Sequence, residues 1–273
     1  MSGGAITRRH PAYGLFMPGL GLAVLLIFLQ LCPAAQAYER EKHSVAPTSG
    51  TADDPSTFRL LLAALLQPKF WIPAENMKPT LLVGDYFVTK PLSANPELGD
   101  VVIFRHPVNG EVSVERILGL PGDRVQMIDG LVHINGTAIK AEPAPPFSEV
   151  MERQGPFGKL PRCIPQVAIG AICTRERIHE TLPNGGAYDV LNIEDGPSDH
   201  TKVFTVPEGH YFMLGDNRDN SFDSRFSQNV GGMGFVPAEN LQGQVDRIIF
   251  SSAGRSLGDI WSWRADRYLM AVE

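Results

Sequence analysis

The sequence predicts a mainly β fold of short antiparallel strands, and three observations predict it. From Ile72 onward the apolar residues recur mostly with period two, the spacing of a strand with one buried face. The 27 Gly and 22 Pro are dispersed along the chain, which suits many strands joined by turns. Two hairpin dipeptides, Asp129-Gly130 and Asn135-Gly136, separate short apolar runs, and these residue types tolerate the positive φ of a type I′ turn.

The chain begins differently. After Arg8-Arg9-His10 come 28 residues without a formal charge, Pro11 to Tyr38, long enough to span a bilayer at ~1.5 Å rise per residue. The run ends in "CPAAQAYERE", where Ala35 and Ala37 stand two apart, as small residues do at a signal-peptide cleavage site. Residues 1–37 therefore read as a signal peptide cleaved after Ala37 or as an uncleaved membrane anchor, and either implies that the rest of the chain is exported. Residues 38–57 are polar and poor in large apolar side chains, a linker. Leu60 to Leu66 is apolar but too short to span, a short interfacial or packing helix stopping before Pro68.

Residues 58–252 then form one domain. "GDVVIFRHP", "DRVQMIDGLVHINGTAI", "HYFMLGDN" and "QVDRIIFS" read as strands or hairpins. Between Ala138 and Thr205 a Pro- and Gly-rich region reads as a smaller subdomain inserted in the β core, and residues 253–273 as a C-terminal tail. Cys163 and Cys173, ten positions apart, pair as a disulfide in an oxidising compartment, worth roughly 2–3 kcal/mol, or remain two buried thiols.

Composition narrows the function. With 43% hydrophobic and 20% charged residues the chain is ordinary globular, and its net charge of −6 argues against nucleic acid as a partner. The seven histidines show no triad or metal spacing. Asp219, Ser221 and Asp223 alternate as in a calcium loop but lack its turn glycine and closing glutamate, so neither metal nor cofactor is expected.

Three stretches carry chemistry together: "IPAENMKPTLLVGDYFVTK", "GDVVIFRHP…ERILGLPGDRVQ" and "GDNRDNSFDSR…GFVPAENLQGQV". In this order they resemble the sequence boxes of bacterial type I signal peptidase, a membrane-anchored serine/lysine-dyad endopeptidase that releases signal peptides from exported preproteins. The similarity runs from about Phe58 to Ser251, and "ETLPNG" in the insertion fits it. The resemblance implies an antiparallel signal-peptidase-like fold, a position at the periplasmic face of the bacterial inner membrane (or in the periplasm if the leader is cleaved), and preproteins as partners. It implies that Ile72, Pro73, Met77 and Pro79 bind substrate, and that Ser221, Asp223 and Arg225 support the site.

The family's dyad is a serine before the first box's methionine and a lysine before the arginine that precedes "GLPGD". A neutral lysine takes the serine's proton, and a further serine hydroxyl serves the oxyanion hole. Here the nucleophile position holds Asn76, the base position Glu115 and the oxyanion position Ala74; Glu75 stands where the family has a small residue. A carboxamide is not a hydroxyl nucleophile. Ser113, two residues before Glu115, offers a hydroxyl; Lys78 and Lys90 lie near the loop, but neither occupies the strand position a base needs. Three functions compete: an impaired homologue that binds extended peptides, a working signal peptidase, and a regulatory partner of an active paralogue.

Overall fold

The computed structural model describes residues 69–255 and 258–273. The expected leader, the linker and the apolar run at Leu60–Leu66 lie outside the described residues. Among the described residues fourteen strands run in chain order: β1 (Lys69–Trp71), β2 (Asp85–Lys90), β3 (Val101–Arg105), β4 (Val112–Gly119), β5 (Arg124–Ile128), β6 (Leu131–Ile134), β7 (Thr137–Ala138), β8 (Lys140–Val150), β9 (Ile172–Thr181), β10 (Ala187–Asn192), β11 (Phe204–Thr205), β12 (His210–Leu214), β13 (Val236–Pro237) and β14 (Leu241–Ser251). The helices among the described residues are single 3₁₀ turns, and none is long and apolar enough to cross a membrane.

Seven strands make the main sheet, in the order β1-β2-β14-β3-β4-β12-β13, every pairing antiparallel. The mainly β, antiparallel fold class is thus found. Four short strands, β11-β5-β6-β7, form a second sheet. Its two hairpins turn at Asp129-Gly130 and Asn135-Gly136, and all four residues have positive φ, between 49° and 84°. The hairpin dipeptides carry out the geometry that their chemistry allows.

The region between Ala138 and Thr205 supplies a third sheet, β10-β9-β8. β8 lies at its edge, and its register against β9 shifts between Ala144 and Phe147. Pro145 and Pro146 fall in that irregularity, where the missing N–H groups cost no ladder bond. The loop joining β8 to β9 is closed by a disulfide between Cys163 and Cys173, with Cα atoms 5.9 Å apart.

One core cluster joins Phe70 and Ile72 from the β1 end of the main sheet to Val114 of β4, with Val112 packed against it. Phe87, Val245, Ile248, Val101 and Ile103 link them, so one apolar floor runs under the main sheet from β1 to the start of β4. Among the described residues both ends of that floor have an unpaired strand edge: β1 pairs with β2 alone, and β4 pairs with β3 alone until β12 joins at Arg116. Residues after β14 pack onto the same core. Met270 and Val272 contact that cluster, Ile248 donates its N–H to Met270 O, and Arg267 Nη2 reaches the buried Asp85 carboxylate at 2.6 Å.

Candidate functional site

The loop from Ile72 to Gly84 links β1 to β2 and lies across the open edge of β4. Ile72 and Met77 are fully buried in the core, Pro73 is buried, and Ala74 and Pro79 are half-buried. Two turns fix the loop: Lys78 N donates to Glu75 O and Leu81 N to Met77 O. From the opposite side, Asn217 N donates to Asn76 O at 2.9 Å and Asn217 Nδ2 to Glu75 O at 3.0 Å. Gly215 permits this approach, since a Cβ there would sit 2.6 Å from Asn76 O and 2.4 Å from Ser221 Cβ.

The two positions expected to carry the chemistry meet. Asn76 Nδ2 donates to Glu115 Oε1 at 3.0 Å and to Val114 O at 2.8 Å. Ser221 Oγ donates to the same Glu115 oxygen at 3.0 Å. Glu115 is 1% exposed, and its pKa is raised well above the ordinary carboxyl value. Burial is the chief cause and the nearby Asp223 carboxylate the second, with the bonds from Asn76 and Ser221 opposing them. The result favours a neutral carboxylic acid. Asn76 Oδ1 and Glu115 Oε2 are both buried without a hydrogen-bond partner among the described residues.

Asp223 and Arg225, two residues apart, pair in a fork: Nε reaches Oδ1 and Nη2 reaches Oδ2, each at 2.8 Å. Asp219 caps a turn instead, accepting the N–H groups of Ile193 and Glu194 through Oδ2. Ser113 sits in the β3–β4 ladder opposite Phe104, while the Lys78 ammonium bonds elsewhere.

Those Lys78 bonds form a buried cluster that the sequence did not announce. Lys78 Nζ donates to Glu75 Oε1 at 2.5 Å, to both Glu149 oxygens at 2.8 and 2.9 Å, and to Gln154 Oε1 at 3.1 Å. Arg175 reaches Glu149 as well. Burial lowers the Lys78 pKa to about 8, outweighing the attraction of Glu75. The Glu75 carboxylate also accepts Arg162 N and Asn220 Nδ2. One charged knot therefore clamps the β8–β9 loop onto the first box.

Two more buried pairs join the boxes. Arg116 Nε and Nη2 fork onto Asp216, with the guanidinium 3.9 Å over the Tyr188 ring. Arg218 Nη1 and Nη2 fork onto Glu180, tying "GDNRDNS" to "ETLPNG". The signal for the second pair was present in the two motifs, since Arg218 is the one cation of "GDNRDNS" and Glu180 the one charge of "ETLPNG", and burial forces each to find a partner.

Comparison with known proteins shows the family. The family described as signal peptidase, peptidase S26, matches residues 56–250. Signal peptidase I of Rickettsia canadensis is 33% identical over 229 residues, covering 71% of this chain and 75% of that one. Signal peptidase I of Rickettsia typhi is 34% identical over 224 residues with the same coverage. The chain belongs to the signal peptidase family, peptidase S26. A crystal structure of a signal peptidase I from Enterococcus faecalis aligns over 56% of this chain and 98% of that one, at 24% identity and a TM-score of 0.29. In this peptidase S26 chain, the loop from Ile72 to Gly84, the edge of β4 and the turn after β12 bring together the three stretches that carry the resemblance in the sequence. Asn76 and Glu115 stand at its centre.

Proposed function

We propose that this chain is a catalytically impaired signal peptidase I homologue that keeps a hold on extended peptides of exported preproteins. The observation that carries the reading is the Asn76–Glu115 hydrogen bond, which puts a carboxamide against a carboxyl where the family resemblance calls for a hydroxyl against an amine. Loss of a nucleophile costs ~10⁶ in turnover in a serine protease, and loss of an oxyanion donor ~10²–10³, non-additively. Peptide binding is supported by the open edge of β4 beside the loop from Ile72 to Gly84, over the apolar floor of the main sheet. The leader's charge and apolar pattern support a place at the periplasmic face of the inner membrane. Pairing with an active paralogue is compatible with the same surface.

One contact favours a working endopeptidase instead. Ser221 Oγ bonds Glu115 Oε1, so Ser221 would be the hydroxyl and Glu115 its base. Against that stands its position, 8% exposed and packed beneath Gly215 and the Asn76 carbonyl, with the same Glu115 oxygen already bonded to Asn76. Cleavage of a model preprotein by the purified full-length chain, beside an active relative, tests both. The impaired homologue gives no product above background. Turnover abolished by Ser221→Ala would establish the second reading, and turnover abolished by Asn76→Ala would demand new chemistry at that residue.

A further inference from the structure

Asn76 does more than replace a hydroxyl. Its carboxamide nitrogen carries two N–H donors and uses both, one on Glu115 and one on the carbonyl of Val114. Val114 belongs to the stretch of β4 that pairs with β3 alone, opposite Ile103. In an antiparallel ladder alternate residues turn their N–H and C=O groups to the other side. The Val114 carbonyl is met by a group lying outside the β3–β4 pair, so it belongs to the open edge. Such an edge is a template for an added strand, and its outward carbonyls are the acceptors an incoming peptide N–H must reach.

We propose that Asn76 caps the open edge of β4 from within, acting as an intramolecular competitor for an extended peptide. The proposal rests on the peptide-binding reading above and adds to it what restrains binding. A serine at this position has a single O–H donor and cannot serve Glu115 and Val114 O together; an asparagine can. The cap is also held in place. Asn217 N grips the Asn76 carbonyl at 2.9 Å, and Glu75, next in the chain, is fixed by Lys78, Asn220 Nδ2 and Arg162 N. Lys78 in turn is anchored to Glu149 and Gln154 across the insertion. Peptide entry must displace the Asn76 N–H from Val114 O, and the surrounding knot resists the loop's withdrawal.

The test uses the full-length chain in detergent and a fluorescein-labelled peptide copying residues 28–39, with Cys32 replaced by Ser. Anisotropy titrations compare the wild type with Asn76→Ala and Asn76→Ser, folding of each being confirmed by circular dichroism. Both variants are expected to bind about tenfold more tightly, ~1.4 kcal/mol. A set of peptides N-methylated at one amide each should contain one member for which the gain vanishes, the one lacking the N–H that meets Val114 O. Equal affinity of all three proteins overturns the cap while leaving peptide binding intact. A gain that survives every N-methylated peptide overturns it too, because the tighter binding would not pass through the strand edge. No binding by any of the three overturns both the cap and the reading beneath it.

Discussion

Asn76 Nδ2 donates to Glu115 Oε1 across 3.0 Å, joining residues 39 positions apart with the donor on the first and the acceptor on the second. A serine hydroxyl facing a neutral lysine has the same polarity, O–H towards a lone pair. On the function proposed above, Asn76 and Glu115 keep the direction of that hydrogen bond without a nucleophile or a base. The same reading accounts for the surroundings, in which Ser221 donates to Glu115 and Asp223 is forked by Arg225.

The raised pKa of Glu115 makes stability depend on pH with a definite sign. A carboxyl whose folded pKa lies above its unfolded value of about 4.5 stabilises the fold fully below that value and progressively less as pH rises towards the folded pKa. Glu115→Gln removes this titration and keeps an acceptor for Asn76 and Ser221. Thermal melts at stepped pH should show the variant gaining on the wild type from pH 4.5 upward. A gap that stays constant with pH would mean that Glu115 is already ionised in the fold.

The Lys78 knot gives a prediction of magnitude. Lys78→Met leaves Glu75 and Glu149 buried beside a group that no longer donates, which should cost about 3–5 kcal/mol in urea unfolding. Replacing Glu75 by Leu in the same chain removes the carboxylate that depends most closely on it, and should recover part of the loss. Additive losses in the double variant would show that Lys78 and Glu75 act independently.

The boxes were legible because each is short and local: a turn, a strand end and a polar loop announce themselves through residues a few positions apart. Asp223 and Arg225 could be paired from sequence because an extended segment places alternate residues on one side. The bond from Lys78 to Glu149 could not be read from it, since Glu149 lies 71 positions away on a strand with no pattern pointing back. Glu75 reads from sequence only as a larger residue where the family has a small one; that its carboxylate faces Lys78, Arg162 and Asn220 comes from the fold. Residues 253–273 read as a tail because their apolar side chains lack a strand or helix period. In the fold Ala271 bridges Arg247 of β14, Met270 and Val272 on either side of it pack on the core, and Arg267 pairs with Asp85.

That last pair can be tested directly. Asp85 is fully buried, bonded to Ser251 Oγ and to Arg267 through Nε and Nη2. Arg267→Met should cost about 3–5 kcal/mol, measured by urea unfolding, because it strips a buried carboxylate of its closest cation. A loss near zero would show Arg264, 3.6 Å from the same carboxylate, to be sufficient.

Restoring the dyad is the most demanding prediction. Asn76→Ser supplies a hydroxyl, Glu115→Lys an amine, and Ala74→Ser a donor for the oxyanion. Neither of the first two should give activity alone, since a hydroxyl without a base and a base without a hydroxyl are equally idle. At position 115 burial would lower the lysine's pKa towards the neutral amine that the reaction needs, while Asp223 and Asp216, whose charges now act on Glu115, would raise it. Activity should accordingly climb with pH, as the fraction of neutral lysine grows. Asn76→Ser also frees the Val114 carbonyl for a peptide, so affinity should improve before turnover does. Glu75 remains in the triple variant, held by Lys78, Arg162 and Asn220, and keeps the loop clamped to the insertion. Measurable peptide hydrolysis is therefore expected from the triple variant, well below that of an active relative and strongest at alkaline pH. A folded triple variant that binds peptide yet cleaves nothing would place the defect in how the loop from Ile72 to Gly84 presents residue 76, and Glu75→Gly would be the change that separates a clamped loop from a displaced one.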